Sequence, residues 1–177
     1  MKIGKARIEV VHGDITKIPV EAVVNPANDM LWMGGGVSAL IRKAGGKSIE
    51  EEALRHSPVK IGDAVVTGAG NLSARRVIHA VIAGQDLTVS ESSIRSAVKA
   101  SLVQAESDGC TSIAIPMLTT DISHIEIHKT ARFIVGETVD YLITINKTME
   151  YVVFVVEDET VQNIVKDALM EIFTKHA

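Results

Sequence analysis

The sequence has little of several residue types, and each shortage excludes a class of protein. One cysteine, Cys110, occurs among 177 residues, so neither an internal disulfide nor a thiolate metal cluster can form, and we predict no metal ion and no other cofactor. The longest apolar runs, such as YVVFVV at 151–156, are far shorter than the roughly 20 residues that span a bilayer. The first ten residues lack the apolar core of a signal peptide, and we therefore expect a cytoplasmic protein.

Positive charge and aromatic residues are also scarce. Lysine and arginine number 18 against 22 acidic residues, the net charge is −4, aromatics make up 3%, and no basic run is longer than Arg75-Arg76. Nucleic acids and anionic membranes are bound by clustered positive charge, and single strands also by stacked aromatic rings. The composition therefore disfavours a nucleic-acid or membrane partner. An anionic ligand would have to be held by local backbone donors.

Strand and helix patterns alternate along the chain. Short β-branched segments predict six strands, at 6–12, 20–25, 63–68, 76–82, 112–116 and 151–156. Helical patterns occupy 48–56 and 90–109, and we predict that a Ser48–Glu51 capping box opens the first of them. Two further helices are indicated by apolar stripes that run from Ile127 to Ile145 and from Val161 to Phe173. We predict a single domain over 1–177, of the α/β class, built as a three-layer α/β/α sandwich with a mixed six-stranded sheet.

Three consecutive glycines, Gly34, Gly35 and Gly36, follow a strand and its loop and directly precede the helical pattern that begins at Val37. The first N–H groups of a helix have no partner within the helix, and glycine has no Cβ to keep a ligand away from them. This arrangement is typical of an anion site at a helix N-terminus. Taken alone, the glycine run is also compatible with a flexible turn.

The neighbouring motifs carry a resemblance to a known family. Gly-Asp-Ile-Thr occurs at 13–16, Asn-Pro-Ala-Asn at 25–28, GGGVSALIRKAGG at 34–46 and RVIHAV at 76–81. Together, and in this order, they resemble the macro domain family, modules that bind ADP-ribose and in some members hydrolyse its esters. The resemblance covers essentially the whole chain, and it implies the macro domain fold.

The resemblance assigns a role to each matched residue. Asp14 would receive the adenine amino group, and the N–H of Ile15 would meet a ring nitrogen of the base. Asn28 would bind the distal ribose, while Gly34–Gly36 and Val37 would present backbone N–H groups to the diphosphate and that ribose. From the residues alone, Asp14 can also be interpreted as the cap of the turn at Ile15 and Thr16.

Three other residues near these motifs have interpretations of their own. Asn25 is expected to brace its loop internally, as the resemblance also suggests. His79, inside a predicted strand, is interpreted as a hydrogen-bonded core histidine rather than a base. Trp32 is either an anchor for the loop or a lid over the ribose.

The chain departs from the family pattern in the second phosphate loop. Macro domains usually carry another glycine-rich loop after the fifth strand, whereas Thr119–His124 contains no glycine. Asp121 adds a negative charge in this loop, and we expect it to weaken diphosphate binding by repulsion.

Two further departures concern the base and catalysis. Many relatives place an aromatic side chain at the end of the sixth strand against the adenine, but residues 156–158 are Val, Glu and Asp, which leaves Phe154 as one candidate substitute. The more active hydrolytic members often have an acidic residue after Gly-Gly-Gly-Val, where this chain has Ser38.

The sequence therefore favours a module that binds ADP-ribose or a related adenine nucleotide weakly, free or attached to an ADP-ribosylated protein. An alternative is an ADP-ribosyl ester hydrolase or O-acetyl-ADP-ribose deacetylase, with Asn28 as the candidate catalytic residue. Weak or absent turnover is favoured within that alternative. A third hypothesis is a degenerate macro domain without a ligand.

Overall fold

The computed structural model describes residues 1–118 and 126–176, which form seven β-strands, five α-helices and a short 3₁₀ turn at Ile15–Lys17. The strands are β1 (Lys2–Ile3), β2 (Ala6–His12), β3 (Ala22–Asn28), β4 (Ala64–Gly68), β5 (Arg76–Ala83), β6 (Ser112–Pro116) and β7 (Tyr151–Val156). The helices are α1 (Gly36–Gly45), α2 (Ser48–Leu54), α3 (Glu91–Ser107), α4 (Ile127–Thr144) and α5 (Glu159–His176).

All seven strands form one sheet in the order β1-β2-β7-β6-β3-β5-β4. The five central strands are parallel, while β1 and β4 pair antiparallel at the two edges. The predicted mixed sheet is confirmed, but the count of six was one strand too few. The additional strand, β1, is two residues long, which is too short to produce a period-two hydrophobic pattern.

Helices cover both faces of the sheet and produce the predicted three layers. Helices α1 and α2 pack on one face around a cluster that includes Ile41 and Ile49, and α3, α4 and α5 pack on the other face around Phe154 and Ile134. Strand β5 is apolar along almost its whole length because it is buried on both faces. No helix in the described part of the chain is long and apolar enough to span a membrane.

The predicted capping box at Ser48–Glu51 is wrong. Lys47 is the N-cap of α2 and is already in the α-helical conformation, and no described side chain caps this helix. An N-cap side chain needs an extended backbone, which Ser48 cannot adopt once the helix has begun. A capping box instead starts α3, where Ser90 is extended and the Ser90 and Ser93 side chains each bond the other's backbone N–H.

Candidate ligand-binding cleft

A cleft of about 330 Å³ opens at the carboxyl ends of β3 and β6. After β3 the chain continues to β4 and β5 on one side of the sheet, whereas after β6 it continues to β7 on the other side. The strand order therefore reverses between β3 and β6. Ligands of open α/β sheets bind at such a switch point. The residues that line the cleft are Pro26, Ala27, Asn28, Trp32, Gly34, Gly35, Gly36, Val37, Ser38, Leu87, Met117 and Leu118.

The N-terminus of α1 forms one wall of this cleft. Gly35 is the N-cap, in an extended conformation with φ −154° and ψ 167°, and no described side chain caps the helix. The first N–H of α1 with an acceptor inside the helix belongs to Ala39, which donates to the carbonyl of Gly35 at 3.2 Å. The N–H groups of Gly36, Val37 and Ser38 precede it and have no acceptor within the helix, so they are available to an anion.

The three glycines meet different structural demands. A Cβ at Gly34 would lie 2.7 Å from Cζ3 of Trp32, so the indole ring requires a glycine there. A Cβ at Gly35 would meet no atom within 4 Å, so this position borders open space. Gly36 has φ +55°, a left-handed conformation that side chains other than glycine adopt at a cost. The structure therefore brings Gly34, Gly35 and Gly36 to the cleft, with Gly35 the most open to it.

Asn28, the last residue of β3, is oriented by its own loop. Its Oδ1 accepts from the backbone N–H of Met30 at 3.1 Å and from Gln85 Nε2 at 3.4 Å, and its Nδ2 donates to the carbonyl of Trp32 at 3.0 Å. An amide nitrogen carries two hydrogens, so one N–H remains for a ligand while the oxygen is occupied. Asn28 therefore presents a donor to the cleft, which suits a ribose or phosphate oxygen.

Gln85 links the two loops that flank the cleft, and the sequence analysis missed it. Its Oε1 accepts from Trp32 Nε1 at 3.0 Å, while its Nε2 donates to Asp29 Oδ1 at 2.7 Å. The indole of Trp32 is 44% exposed at the cleft mouth. Trp32 is thus anchored to the β5–α3 loop, which agrees with the loop-anchor interpretation and keeps the ring beside the cleft.

Glu50 is a second supporting residue that the sequence analysis missed. Its carboxylate accepts a hydrogen bond from the backbone N–H of Met33 and forms an ion pair with Arg42 Nε at 3.1 Å. Because Met33 immediately precedes the glycines, α2 holds the start of the glycine loop through this contact. The acidic run Glu50-Glu51-Glu52 was the available signal, but it gave no indication of the partner.

Asn25, Ser38 and His79 form a buried polar cluster behind the cleft. Ser38 Oγ donates to Asn25 Oδ1 at 2.8 Å, and Asn25 Nδ2 lies 3.1 Å from His79 Nδ1. Burial, together with the charge of nearby His56, lowers the pKa of His79 to about 4, so the ring is neutral at physiological pH. Both expectations, of a bracing Asn25 and of a hydrogen-bonded core His79, agree with these contacts.

Asp14 and Ile15 lie at the same edge of the sheet but do not line the cleft. They follow β2, which is parallel to β3 and three strand positions away, or about 14 Å at the usual strand spacing. Asp14 Oδ1 accepts from both the N–H and the hydroxyl of Thr16, and these hydrogen bonds lower the pKa of the carboxyl. Asp14 is therefore a turn cap. Its Oδ2, 3.9 Å from Lys17 Nζ, keeps lone pairs for a further donor.

Ile15 and Val37 pack in one apolar cluster between the 3₁₀ turn and α1. Ile15 is 4% exposed and Val37 is 9% exposed. Their side chains therefore connect the Asp14 turn to the first turn of α1, and Val37 also lines the cleft.

The other departures from the family pattern have different outcomes. Phe154 is fully buried in the core that faces α3, α4 and α5, so it does not substitute for an aromatic side chain against a base. Thr119–His124 lies outside the described residues, and the expected repulsion by Asp121 stays a prediction.

The described lining of the cleft is mainly apolar. Apart from Asn28 and Ser38, the side chains that line the described part of the cleft are apolar or absent, and none of them is titratable. The hydroxyl of Ser38 is engaged with Asn25 Oδ1 and with the carbonyl of Pro26. Within residues 1–118 and 126–176, no three His, Cys, Asp or Glu side chains are grouped so as to share a metal ion.

Comparison with known proteins places this arrangement in a family. The chain is 41% identical over 137 residues to a protein of Aeropyrum pernix, covering 73% of this chain and 69% of that protein. It is 38% identical over 131 residues to a protein of Aquifex aeolicus, covering 73% and 79%. The Oceanobacillus iheyensis macrodomain with ADP superposes with a TM-score of 0.88 at 26% identity, covering 99% of this chain and 96% of that one. The model of the macro domain family matches residues 24–134, and this chain belongs to that family.

Proposed function

We propose that this protein is a binding module for ADP-ribose or a related adenine nucleotide. The observation that carries the proposal is the uncapped N-terminus of α1, whose free N–H groups lie at the cleft. Its N-cap residue, Gly35, has no side chain, and a Cβ there would meet no other atom within 4 Å. Such a terminus combines directed donors with the positive end of the helix dipole, and it favours a phosphate group without any lysine or arginine.

The rest of the cleft fits a sugar attached to that phosphate. Asn28 offers one N–H to a ribose oxygen, and Trp32, Leu87, Met117 and Leu118 supply apolar surface around it. An extended ligand that follows the carboxyl edge of the sheet from this cleft toward β2 reaches Asp14, where Oδ2 can accept from the exocyclic amine of adenine. The proposed order along the edge is ribose and diphosphate at α1, then adenosine at Asp14.

The relatives support this assignment of ligand. The Oceanobacillus iheyensis macrodomain, which shares the fold over nearly the whole chain, has been solved with ADP. A helix N-terminus such as that of α1 suits the phosphate groups of a ligand of this kind.

Binding is favoured over ester hydrolysis because the described lining contains no group that can act as a general base. Asn28 cannot take a proton, and the Ser38 hydroxyl is buried and engaged. We propose slow or undetectable release of ADP-ribose from mono-ADP-ribosyl esters. The glycine-free segment Thr119–His124 further favours weak binding, since a second set of backbone donors would be missing from the diphosphate.

Isothermal titration with ADP-ribose, ADP, AMP and ribose 5-phosphate tests the proposal. We expect ADP-ribose to bind most tightly and Asp14→Ala to weaken it by about 1–3 kcal/mol, the usual cost of a charged hydrogen bond. Ribose 5-phosphate is the matched control, because it lacks the base and should bind both proteins equally. Equal affinity of the wild type for ADP-ribose and its inosine analogue would refute the role of Asp14, and no binding of any of the four ligands would refute the proposal.

A further inference from the structure

Four polar side chains form an unbroken hydrogen-bonded chain through the layer between the sheet and helices α1 and α2. They belong to Ser38 of α1, Asn25 of β3, His79 of β5 and Thr67 of β4, and none is more than 7% exposed. Asn25 and His79 are opposite each other in the β3–β5 register, which directs both side chains to the same face. Burial of so many polar atoms requires that each be paired.

The hydrogens of the chain can be arranged so that every contact is satisfied. In that arrangement Thr67 Oγ1 donates to the carbonyl of Gly68, 2.9 Å away. Thr67 must then accept from His79 Nε2, 2.9 Å away, which leaves Nδ1 of His79 to accept from Asn25 Nδ2. This polarity turns Asn25 Oδ1 toward the hydroxyl of Ser38. The single hydrogen of the Ser38 hydroxyl is shared between Asn25 Oδ1 at 2.8 Å and the carbonyl of Pro26 at 3.0 Å. Reversing one member alone would break its neighbours' bonds.

The two ends of the chain are attached to different structures. At one end, Gly68 is held by α2, because its N–H donates to Glu52 Oε2 at 3.0 Å. At the other end, Ser38 is the third residue of α1, and its backbone N–H is one of the free donors of the cleft. The Ser38 hydroxyl also lies 3.0 Å from the carbonyl of Pro26, so the side chain ties the first turn of α1 to β3.

We propose that Thr67 and His79, which do not line the cleft, are positioning residues for its anion-binding helix terminus. Through Asn25 they fix the rotamer of Ser38, and Ser38 sets where the N–H groups of Gly36, Val37 and Ser38 point. This inference rests on the proposed function only for the identity of the ligand, because the position of the helix terminus can be measured without one.

The test compares ADP-ribose affinity and backbone amide resonances in four single variants and one double variant. Thr67→Val removes the hydroxyl at nearly constant volume, and Thr67→Ser restores it. Ser38→Ala interrupts the chain at its other end. Ile78→Val is the matched control, because Ile78 precedes His79 on β5 but packs in the core on the opposite face of the sheet.

We expect Thr67→Val to weaken ADP-ribose binding about 2- to 30-fold, the range usual for residues coupled to a site without contacting it. Thr67→Ser should recover most of the affinity, and Ile78→Val should lower stability without changing affinity. The double variant Thr67→Val, Ser38→Ala should bind no worse than Ser38→Ala alone, because both substitutions interrupt the same chain. Without ligand, Thr67→Val should shift the amide resonances of Gly36, Val37 and Ser38.

Unchanged amide resonances at α1 together with wild-type affinity in Thr67→Val would overturn the positioning role. Strictly additive effects in the double variant would overturn it as well. If the wild type does not bind ADP-ribose, the proposed function fails, and the ligand-free amide shifts still decide the positioning role. If Thr67→Val does not fold, His79→Gln replaces it as the substitution that interrupts the chain outside the cleft, with the same expected and contradicting results.

Discussion

Gly35→Asp should stabilise this protein and abolish its binding of ADP-ribose. Gly35 occupies the N-cap of α1 with an extended backbone that any residue can adopt, and a Cβ there meets no atom within 4 Å. An Asp side chain at this position can accept from the N–H groups of Val37 or Ser38. These are the donors that we assign to the ligand phosphate.

The gain in stability has three sources. Asp is better than Gly at an N-cap by a few tenths of a kcal/mol. A negative charge at a helix N-terminus contributes about 0.3–1 kcal/mol, and replacing glycine reduces the entropy of the unfolded chain by about 0.4–1 kcal/mol. The sum is about 1–2 kcal/mol, which corresponds to a rise in Tm of about 2–8 °C for a chain of this length.

The loss of binding is larger. Two unit charges about 4 Å apart repel by about 4 kcal/mol at an effective dielectric constant of about 20, or roughly a thousandfold in affinity. Thermal unfolding with and without ADP-ribose measures both effects in one assay, since a bound ligand raises Tm and a ligand that no longer binds does not. Gly35→Asn is the matched control, because it caps the helix without the charge and should lose less affinity. A destabilised Gly35→Asp protein, or one that binds as the wild type does, would show that the helix terminus is not an open anion site.

Three other predictions follow from single contacts. The free energy of unfolding should fall by about 3 kcal/mol between about pH 6.5 and pH 4, because the pKa of His79 is near its ordinary value in the unfolded chain but about 4 in the folded protein. Urea unfolding measures this, and an equal dependence of the unfolding free energy on pH in the wild type and in His79→Gln would contradict it. Asn28→Asp should weaken ADP-ribose binding about 10- to 100-fold, because it places an acceptor against the Trp32 carbonyl and a negative charge toward the phosphate. Calorimetry would test whether it loses more affinity than Asn28→Ala, as we expect. Gly34→Ala should displace the indole of Trp32 and break its bond to Gln85, whereas Gly35→Ala should leave both in place, as the indole N–H resonance would report.

The features that sequence predicted well are those encoded locally. The helix 90–109 was predicted from its apolar face and from the glycine at its end, and α3 occupies Glu91–Ser107 because these signals lie within the segment itself. The glycine run and the motifs around it likewise placed the N-terminus of α1 at a cleft, since close backbone approach leaves a compositional mark. Ser48–Glu51 shows the limit of such signals. The motif matches a capping box, but no box forms because the preceding residue, Lys47, is already in the α-helical conformation.

The supporting residues of the cleft could not be found in this way. Trp32 and Gln85 are 53 positions apart, and Glu50 meets the backbone of a residue 17 positions earlier, so neither contact has a periodic or local pattern. Asp14 illustrates a different difficulty, because turn capping and ligand binding call for the same carboxylate after the same strand. Only the three-dimensional arrangement shows that one oxygen caps the turn and the other is left for a further donor.

The indole at the cleft mouth gives this protein a built-in optical probe. Trp32 is the sole tryptophan of the chain, and it is 44% exposed beside the three glycines that line the cleft. Its emission therefore originates at one known place, and a ligand that displaces water from the ring or disturbs the bond to Gln85 changes that emission directly. Candidate nucleotides can be compared on the unlabelled protein by quenching and by the wavelength of maximum emission. The two loops that meet at the indole can also be followed through unfolding independently of the core.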